Sequence, residues 1–313
     1  MKIAIIEPLG VEREKLLQIA AEVLGKDVDI TYYDSFPADQ AEVVARSRTA
    51  DIVVLANMPY REAVLAQCPQ LAMLSVAFTG IDHIDMAYCR RNNITVCNCA
   101  GYSNEAVSEL VFGLVLGLYR RLIACDTAVR RGGTKDGLIG FELAGKKFGI
   151  VGTGAIGLKV AALARAFGCE VYAYSRTVKE MPGIRYVDLD TLLATCDIVS
   201  LHVPLMEQTR GMINRDKLAL MKQNAVLINT ARGPVVDAAA LAEALTEGRL
   251  AGAAVDVFEQ EPPIPAEHPL LQAPNVILAP HVGFATQEAL GKRAVIALEN
   301  IKQWLAKTPQ NVM

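Results

Sequence analysis

The sequence predicts an α/β protein built on two doubly wound parallel sheets. Three observations carry that prediction. Short runs of Val, Ile and Leu alternate with helical patterns almost from end to end, as expected of strands covered on both faces by crossover helices. One stretch at 147–176, KFGIVGTGAIGLKVAALARAFGCEVYAYSR, has the order strand, glycine-rich turn, helix, strand. The chain has 313 residues, 52% hydrophobic and 21% charged, enough for two cores and too apolar for disorder.

The elements run in order along the chain. Lys2 to Ile6, Val28 to Tyr33, Asp51 to Ala56, Leu71 to Val76 and Ile94 to Cys97 read as strands, each short, apolar and bounded by turn residues. Helical patterns lie between them at Glu12 to Leu24, Asp39 to Arg48, Arg61 to Gln67 and Asp85 to Asn92. A long helix is expected from Asn104 to Arg131, stopped by Gly132 and Gly133, with Gly113 and Gly117 four apart on an apolar face suited to close packing. Six more strands come after it, at Lys147–Val151, Glu170–Tyr174, Asp197–Val203, Ala225–Thr230, Gly252–Val257 and Val276–Ala279. EQEPPIPAEHP, from Glu259 to Pro269, holds four prolines and reads as a surface loop. A C-terminal helix from Thr286 to Ala306 carries the sole Trp, Trp304, and Gln310 to Met313 are expected to fray.

Composition removes several functions. A net charge of −3 without a basic stripe argues against a nucleic-acid partner. MKIAIIEP at the start looks like a first strand rather than a signal peptide. Val111 to Tyr119 is apolar but too short to span a bilayer, so no membrane partner is expected. Seven scattered cysteines with no paired CxxC read as reduced thiols in a cytoplasmic protein, and no metal site is expected.

The 147–176 stretch is the unit that binds a dinucleotide. Gly152 allows the tight turn, Gly154 lets backbone approach a pyrophosphate, and Gly157 lets helix and strand close up. Thr153, Ala155 and Ile156 complete the turn and the helix start, whose free N–H groups face phosphate. In such sheets ligands sit outside the carboxyl ends of the strands, and the cleft between the two sheet units is the default site. The residues just past each strand end are therefore informative. His202-Val203-Pro204, Thr230-Ala231-Arg232-Gly233, Asp256 with Glu259 and Glu261, and Pro280-His281-Val282-Gly283 all fall at that edge. One Arg, a carboxylate and one His suit hydride transfer to a 2-oxo acid. Imidazole can deliver a proton near neutral pH, a carboxylate can hold its tautomer, and a guanidinium matches a carboxylate and polarises a keto oxygen.

Five ordered motifs, GTGAIG at 152–157, LHVPLMEQTRGMIN at 201–214, LINTARGPVVD at 227–237, AAVDVFEQEP at 253–262 and APHVGFAT at 279–286, resemble the D-isomer-specific 2-hydroxyacid dehydrogenase family over essentially the whole chain. The resemblance implies a Rossmann cofactor domain at 100–282 inserted into a flavodoxin-like substrate domain made of 1–99 and 283–313. It puts Arg232, Glu261 and His281 in the catalytic Arg–Glu–His positions, with Glu259 as a rival for Glu261. It assigns substrate contacts to Asn57 and Met58 and to the loop Phe78, Thr79, Gly80 and Ile81, whose N–H groups would take the substrate carboxylate, together with Arg232 and His281. It assigns cofactor contacts to the glycine turn, to Ser175, Arg176 and Thr177, to His202, Val203, Pro204 and Thr209, to Thr230, Ala231 and Arg232, and to Asp256, His281 and Gly283. Asp256 matches the family's carboxylate near the nicotinamide carboxamide. A homodimer built on the cofactor domain and its long helix is implied as well.

One departure bears on the cofactor. NAD-specific chains place Asp or Glu at the end of the second Rossmann strand, against the ribose 2′-hydroxyl. Here that position is Ser175, succeeded by Arg176, Thr177 and Lys179. A carboxylate would repel a 2′-phosphate and Ser plus Arg would welcome one, so NADP(H) is the preferred cofactor, with NAD(H) possible if Arg176 only stacks on adenine. The substrate is expected to be a small unphosphorylated 2-oxo acid, such as hydroxypyruvate or glyoxylate, reduced to the D-2-hydroxy acid. Met58, Tyr60 and Phe78 are apolar, and Arg61 is the lone cation near that loop. The alternative function is a dinucleotide-sensing interaction protein like the family's corepressors; formate oxidation is a weaker third.

Overall fold

The computed structural model describes residues 1–26, 28–179, 181–260 and 263–313. The chain divides into two compact units, one made of Met1–Ser103 with Ala285–Met313 and the other of Asn104–Phe284.

The first unit has five parallel strands, β1 (Lys2–Ile5), β2 (Asp29–Tyr32), β3 (Ile52–Leu55), β4 (Met73–Val76) and β5 (Thr95–Cys97), in the order β2-β1-β3-β4-β5. All four residues of β3 and of β4 are buried, which is why these strands are continuous apolar runs rather than alternating ones. Four helices connect them: α1 (Arg13–Leu24), α2 (Gln40–Ser47), α3 (Glu62–Leu65) and α4 (Met86–Arg91). Asp39 and Asp85 start α2 and α4 by accepting the N–H of Glu42 and Tyr88, satisfying donors that a helix start leaves unpaired.

The second unit has seven parallel strands, β6 (Lys147–Val151), β7 (Glu170–Tyr174), β8 (Ile184–Tyr186), β9 (Ile198–Leu201), β10 (Val226–Asn229), β11 (Gly252–Val255) and β12 (Val276–Leu278). Their order is β12-β11-β10-β9-β6-β7-β8. The direction of winding reverses at β6, which lies between β7 and β9. This is the doubly wound dinucleotide-binding arrangement. The sequence predicted six of these strands. The seventh, β8, is only three residues long with exposed Arg185 in its middle, so no apolar run announces it; it forms by pairing with β7.

The helices of this unit are α5 (Asn104–Tyr119), α6 (Leu122–Arg130), α7 (Ala155–Ala166), α8 (Leu189–Thr195), α9 (Arg215–Leu220) and α10 (Ala238–Thr246). The single helix expected over 104–131 is in fact two. Arg121 takes a left-handed backbone conformation, φ 52°. The carbonyl of Tyr119 accepts the N–H of Phe141 at 2.9 Å, and the Arg121 guanidinium holds the Gly137 carbonyl at 2.6 Å. A distant loop thus captures the end of α5. Of the two glycines in α5, Gly117 alone serves close packing: a Cβ there would lie 2.9 Å from the Ile277 side chain, whereas around Gly113 the space is open.

The chain returns to the first unit in α11 (Gln287–Leu305), capped by Thr286. Trp304 donates to the Thr95 hydroxyl at 3.0 Å. The C-terminus does not fray as expected. Asn98 N–H donates to Asn311 and Met313 N–H to Val96, both at 3.0 Å, and Cys97 and Val312 form an antiparallel bridge. The described residues of the Pro-rich stretch lie mostly at the surface, as expected, with one exception. His268 is buried, meets Phe258 edge to face at 5.3 Å and hydrogen-bonds Glu259 at 3.0 Å. Among the described residues no helix is long and apolar enough to cross a membrane. Among the described residues no cluster of His, Cys, Asp or Glu is gathered as for a metal ion.

Candidate functional site

In the second unit the site begins at the carboxyl ends of β6, β7 and β9. Gly152 has φ +102°, and a Cβ on it would lie 2.6 Å from the His202 carbonyl oxygen, so glycine is required twice over, by conformation and by space. Gly154 caps α7 with open space where a Cβ would be. The N–H groups of the first turn of α7, from Ala155 to Gly157, have no acceptor within the helix. A Cβ on Gly157 would collide with the Gly152 carbonyl. Gly152 N–H donates to Tyr174 at 2.8 Å, which draws the end of β7 alongside the turn. Ser175 comes next and is half-buried, and Arg176 and Thr177 are exposed. Arg176 makes no ion pair or hydrogen bond among the described residues.

The hydroxyl oxygens of Thr153 and Thr230 are buried and have no hydrogen-bond partner among the described residues. Buried hydroxyls are normally satisfied. These two orphans lie just past the ends of β6 and β10, the first beside the open backbone of Gly154, and fit a dinucleotide whose oxygens complete them. His202 N–H donates to Val151 at 2.7 Å and its Nε2 meets the Ser200 hydroxyl at 2.9 Å. Desolvation holds its imidazole well below the usual range, so the ring is neutral at physiological pH. Val203 and Pro204 continue the same loop, and the Thr209 hydroxyl braces it by donating to the Pro204 carbonyl at 2.7 Å and accepting from Met206 N–H at 2.8 Å.

Two turns next to this edge carry the candidate chemistry. After β10, the buried Asn229 side chain accepts the Ala231 N–H at 3.1 Å and donates to the Arg232 carbonyl at 3.0 Å. Arg232 Nη1 in turn donates to Ala231 at 2.7 Å. Gly233 lets this turn press on the next: a Cβ there would overlap the Phe258 carbonyl. After β12, His281 has φ 56°, a left-handed conformation uncommon away from glycine. Asp256 holds it there. Its backbone carbonyl accepts His281 N–H at 2.7 Å, and its carboxylate oxygens accept Val282 and Gly283 N–H, each at 2.8 Å. The Asp256 carboxylate is thus committed to the turn that presents His281. The His281 ring packs edge to face on Phe284 at 5.6 Å.

Glu261 lies outside the described residues. Its rival Glu259 is engaged by His268. Two further residues escaped the sequence reading. Asn229 and Ser200 are polar residues inside apolar strands, and that interruption was the only signal available.

In the first unit, the loop after β4 leaves the N–H groups of Thr79, Gly80 and Ile81 without an acceptor among the described residues, while its carbonyl side is tied down. Phe78 is buried and its carbonyl accepts Cys99 N–H; Asn98 donates to the Thr79 carbonyl. The loop after β3 carries exposed Asn57 and half-buried Met58.

Comparison with known proteins places these features in company. The family model for the D-isomer specific 2-hydroxyacid dehydrogenase, NAD binding domain, matches residues 112–283. The chain is 40% identical over 288 residues to a glyoxylate reductase of Thermofilum pendens, covering 87% of this chain and 84% of that one. It is 39% identical to a glycerate dehydrogenase of Methylorubrum extorquens, covering 87% and 88%. Among solved structures, an acyclic imino acid reductase in complex with NADPH and D-Arg superposes with a TM-score of 0.91 at 31% identity, over the whole of both chains.

Proposed function

The chain belongs to the D-isomer-specific 2-hydroxyacid dehydrogenase family, and from that premise we propose that it reduces a small 2-oxo acid, of the glyoxylate and hydroxypyruvate class, to the D-2-hydroxy acid. The relatives named glyoxylate reductase and glycerate dehydrogenase support that substrate class. The observation that carries the reading is the His281 turn. A histidine held at positive φ by three backbone N–H groups of its turn donating to one buried aspartate is strained backbone kept for a purpose.

When bound, NAD(P)H supplies a hydride to the carbonyl carbon. His281 delivers the proton that the carbonyl oxygen needs, with Glu261 as its carboxylate partner. Arg232, its backbone fixed by Asn229, offers a fork of N–H donors to the substrate carboxylate and draws charge towards the keto oxygen. In the first unit, the N–H groups of Thr79, Gly80 and Ile81 are a further set of donors suited to a substrate carboxylate. Gly152 to Gly157, His202 to Pro204, Thr209, Thr230 to Arg232, Asp256 and Gly283 line the dinucleotide site.

NADPH is the preferred cofactor in this reading. Support comes from Ser175 and exposed Arg176, where a ribose-binding carboxylate would exclude a 2′-phosphate. Free thiols at all seven cysteines suit the cytoplasm. A homodimer is supported by apolar side chains left in water on one segment of the cofactor unit, notably Ile123, Val129, Ile139 and Phe141.

The test is a panel of 2-oxo acids assayed for NAD(P)H oxidation. Glyoxylate or hydroxypyruvate should be turned over, and His281→Ala should lower kcat by about 10²–10⁴-fold, the usual contribution of a positioned acid. Unchanged turnover in that variant would refute the assignment.

A further inference from the structure

We propose that Glu7 is a positioning residue for substrate selectivity, its buried carboxylate setting the height of the loop after β3 and, through it, of the loop after β4. This rests on the reading above, in which those two loops meet the substrate.

Glu7 stands two residues past the end of β1 and is fully buried. In the order β2-β1-β3-β4-β5 the winding reverses between β1 and β3, and the crevice outside those two carboxyl ends is where a sheet of this topology takes its ligand. The Glu7 side chain reaches across that point. Its Oε1 accepts Ala56 N–H at 2.7 Å and Met58 N–H at 3.4 Å. Its Oε2 is buried without a hydrogen-bond partner among the described residues. Burial pushes the carboxyl up, and the loop N–H groups and the nearby Arg293 charge pull it back. A buried acid with one idle oxygen is costly as a mere space-filler, so its presence at the switch point asks for a function.

The loop it holds is stitched to the next. Tyr60 N–H donates to the His83 carbonyl at 3.0 Å, Asp85 N–H donates to Tyr60 at 3.2 Å, and Arg61 donates to Asp82 and Ile84 carbonyls at 2.7 and 3.4 Å. Arg61 is therefore spent on loop carbonyls. Displacing residues 56–58 shifts 82–85 with them, and so the unpaired N–H groups of Thr79 to Ile81. The distance between Met58 and those groups defines how large a 2-oxo acid fits, and Glu7 fixes one end of it.

The test compares E7Q with E7L in the full-length protein. Gln keeps an oxygen acceptor of the same length and Leu removes it. E7L should raise KM for glyoxylate about tenfold, as small misplacements of binding groups do, with kcat within twofold and NADPH affinity by fluorescence unchanged. Its kcat/KM ratio for glyoxylate over a branched 2-oxo acid should fall by a similar factor, and E7Q should keep the wild-type ratio. A purely structural role would lower the melting temperature and leave the ratio alone, which overturns the proposal, as would E7Q behaving like E7L. Should E7L not be recovered with native NADPH affinity, E7M carries the same comparison. Loss of cofactor binding in both would show the carboxylate holding the unit rather than the loop, and would equally overturn it. A wild type that reduces none of these acids refutes the reaction instead, and with it the loops' assignment to the substrate.

Discussion

The proposed choice of cofactor rests on one strand end, at Ser175 and Arg176. The Gly152–Tyr174 hydrogen bond sets the end of β7 beside the glycine turn, so the residues after Tyr174 lie next to that turn. With no carboxylate there, the ratio of kcat/KM with NADPH to that with NADH should exceed one in the wild type. Ser175→Asp should lower it by at least about tenfold, since a charge of the wrong sign then faces the 2′-phosphate; a wild-type ratio favouring NADH would reverse the assignment. Other single residues owe their position to neighbours far along the chain. The candidate acid His281 and the candidate carboxylate clamp Arg232 are picked out by residue type and motif. Their geometry is not, because it comes from Asp256 and Asn229, whose side chains bond backbone groups rather than each other.

The turns between elements behave the same way. The turn after β10 and the chain after β11 approach so closely that only Gly233 fits, with the Phe258 carbonyl occupying the place of a side chain. Gly233→Ala should therefore cost about 1–3 kcal/mol by overpacking, lowering the melting temperature in calorimetry and reducing kcat/KM because Arg232 is the preceding residue. An unchanged melting temperature would mean the two segments can part freely. Helix starts, by contrast, are local. Asp39, Asp85, Asp188, Asn214, Asp237 and Thr286 each accept an N–H three residues on, contributing about 1 kcal/mol apiece. At α2, α4 and α11, where such caps act, predicted and observed helix starts agree to within a residue.

For the molecule as a whole, the segment from α6 to Phe141 stands out. Ile139 is 86% exposed and Val129 74%. Nearby, the cofactor unit has a groove of about 460 Å³ lined by Tyr119, Ile123, Phe141 and Ile277 among others. A second copy of the chain covering this face would remove the apolar surface from water at about 25 cal/mol per Å². Light scattering should give twice the chain mass for the wild type, and Ile139→Asp with Phe141→Asp should give monomer. A monomeric wild type would leave the face to some other partner.

The alternation of strand and helix, the glycine turn and the helix caps were all written in short-range chemistry: period, backbone preference and side-chain reach of three or four residues. Those features needed no knowledge of the fold. The break at Arg121, the ordered C-terminus, the strand β8 and the roles of Glu7, Asn229 and Asp256 depend on which distant carbonyl or N–H arrives beside them. Tyr119 loses its helix because Phe141 reaches it, and Met313 is held because Val96 does. Hydrogen bonds between segments many residues apart leave no periodic trace in a sequence, so they emerge only once the chain has folded.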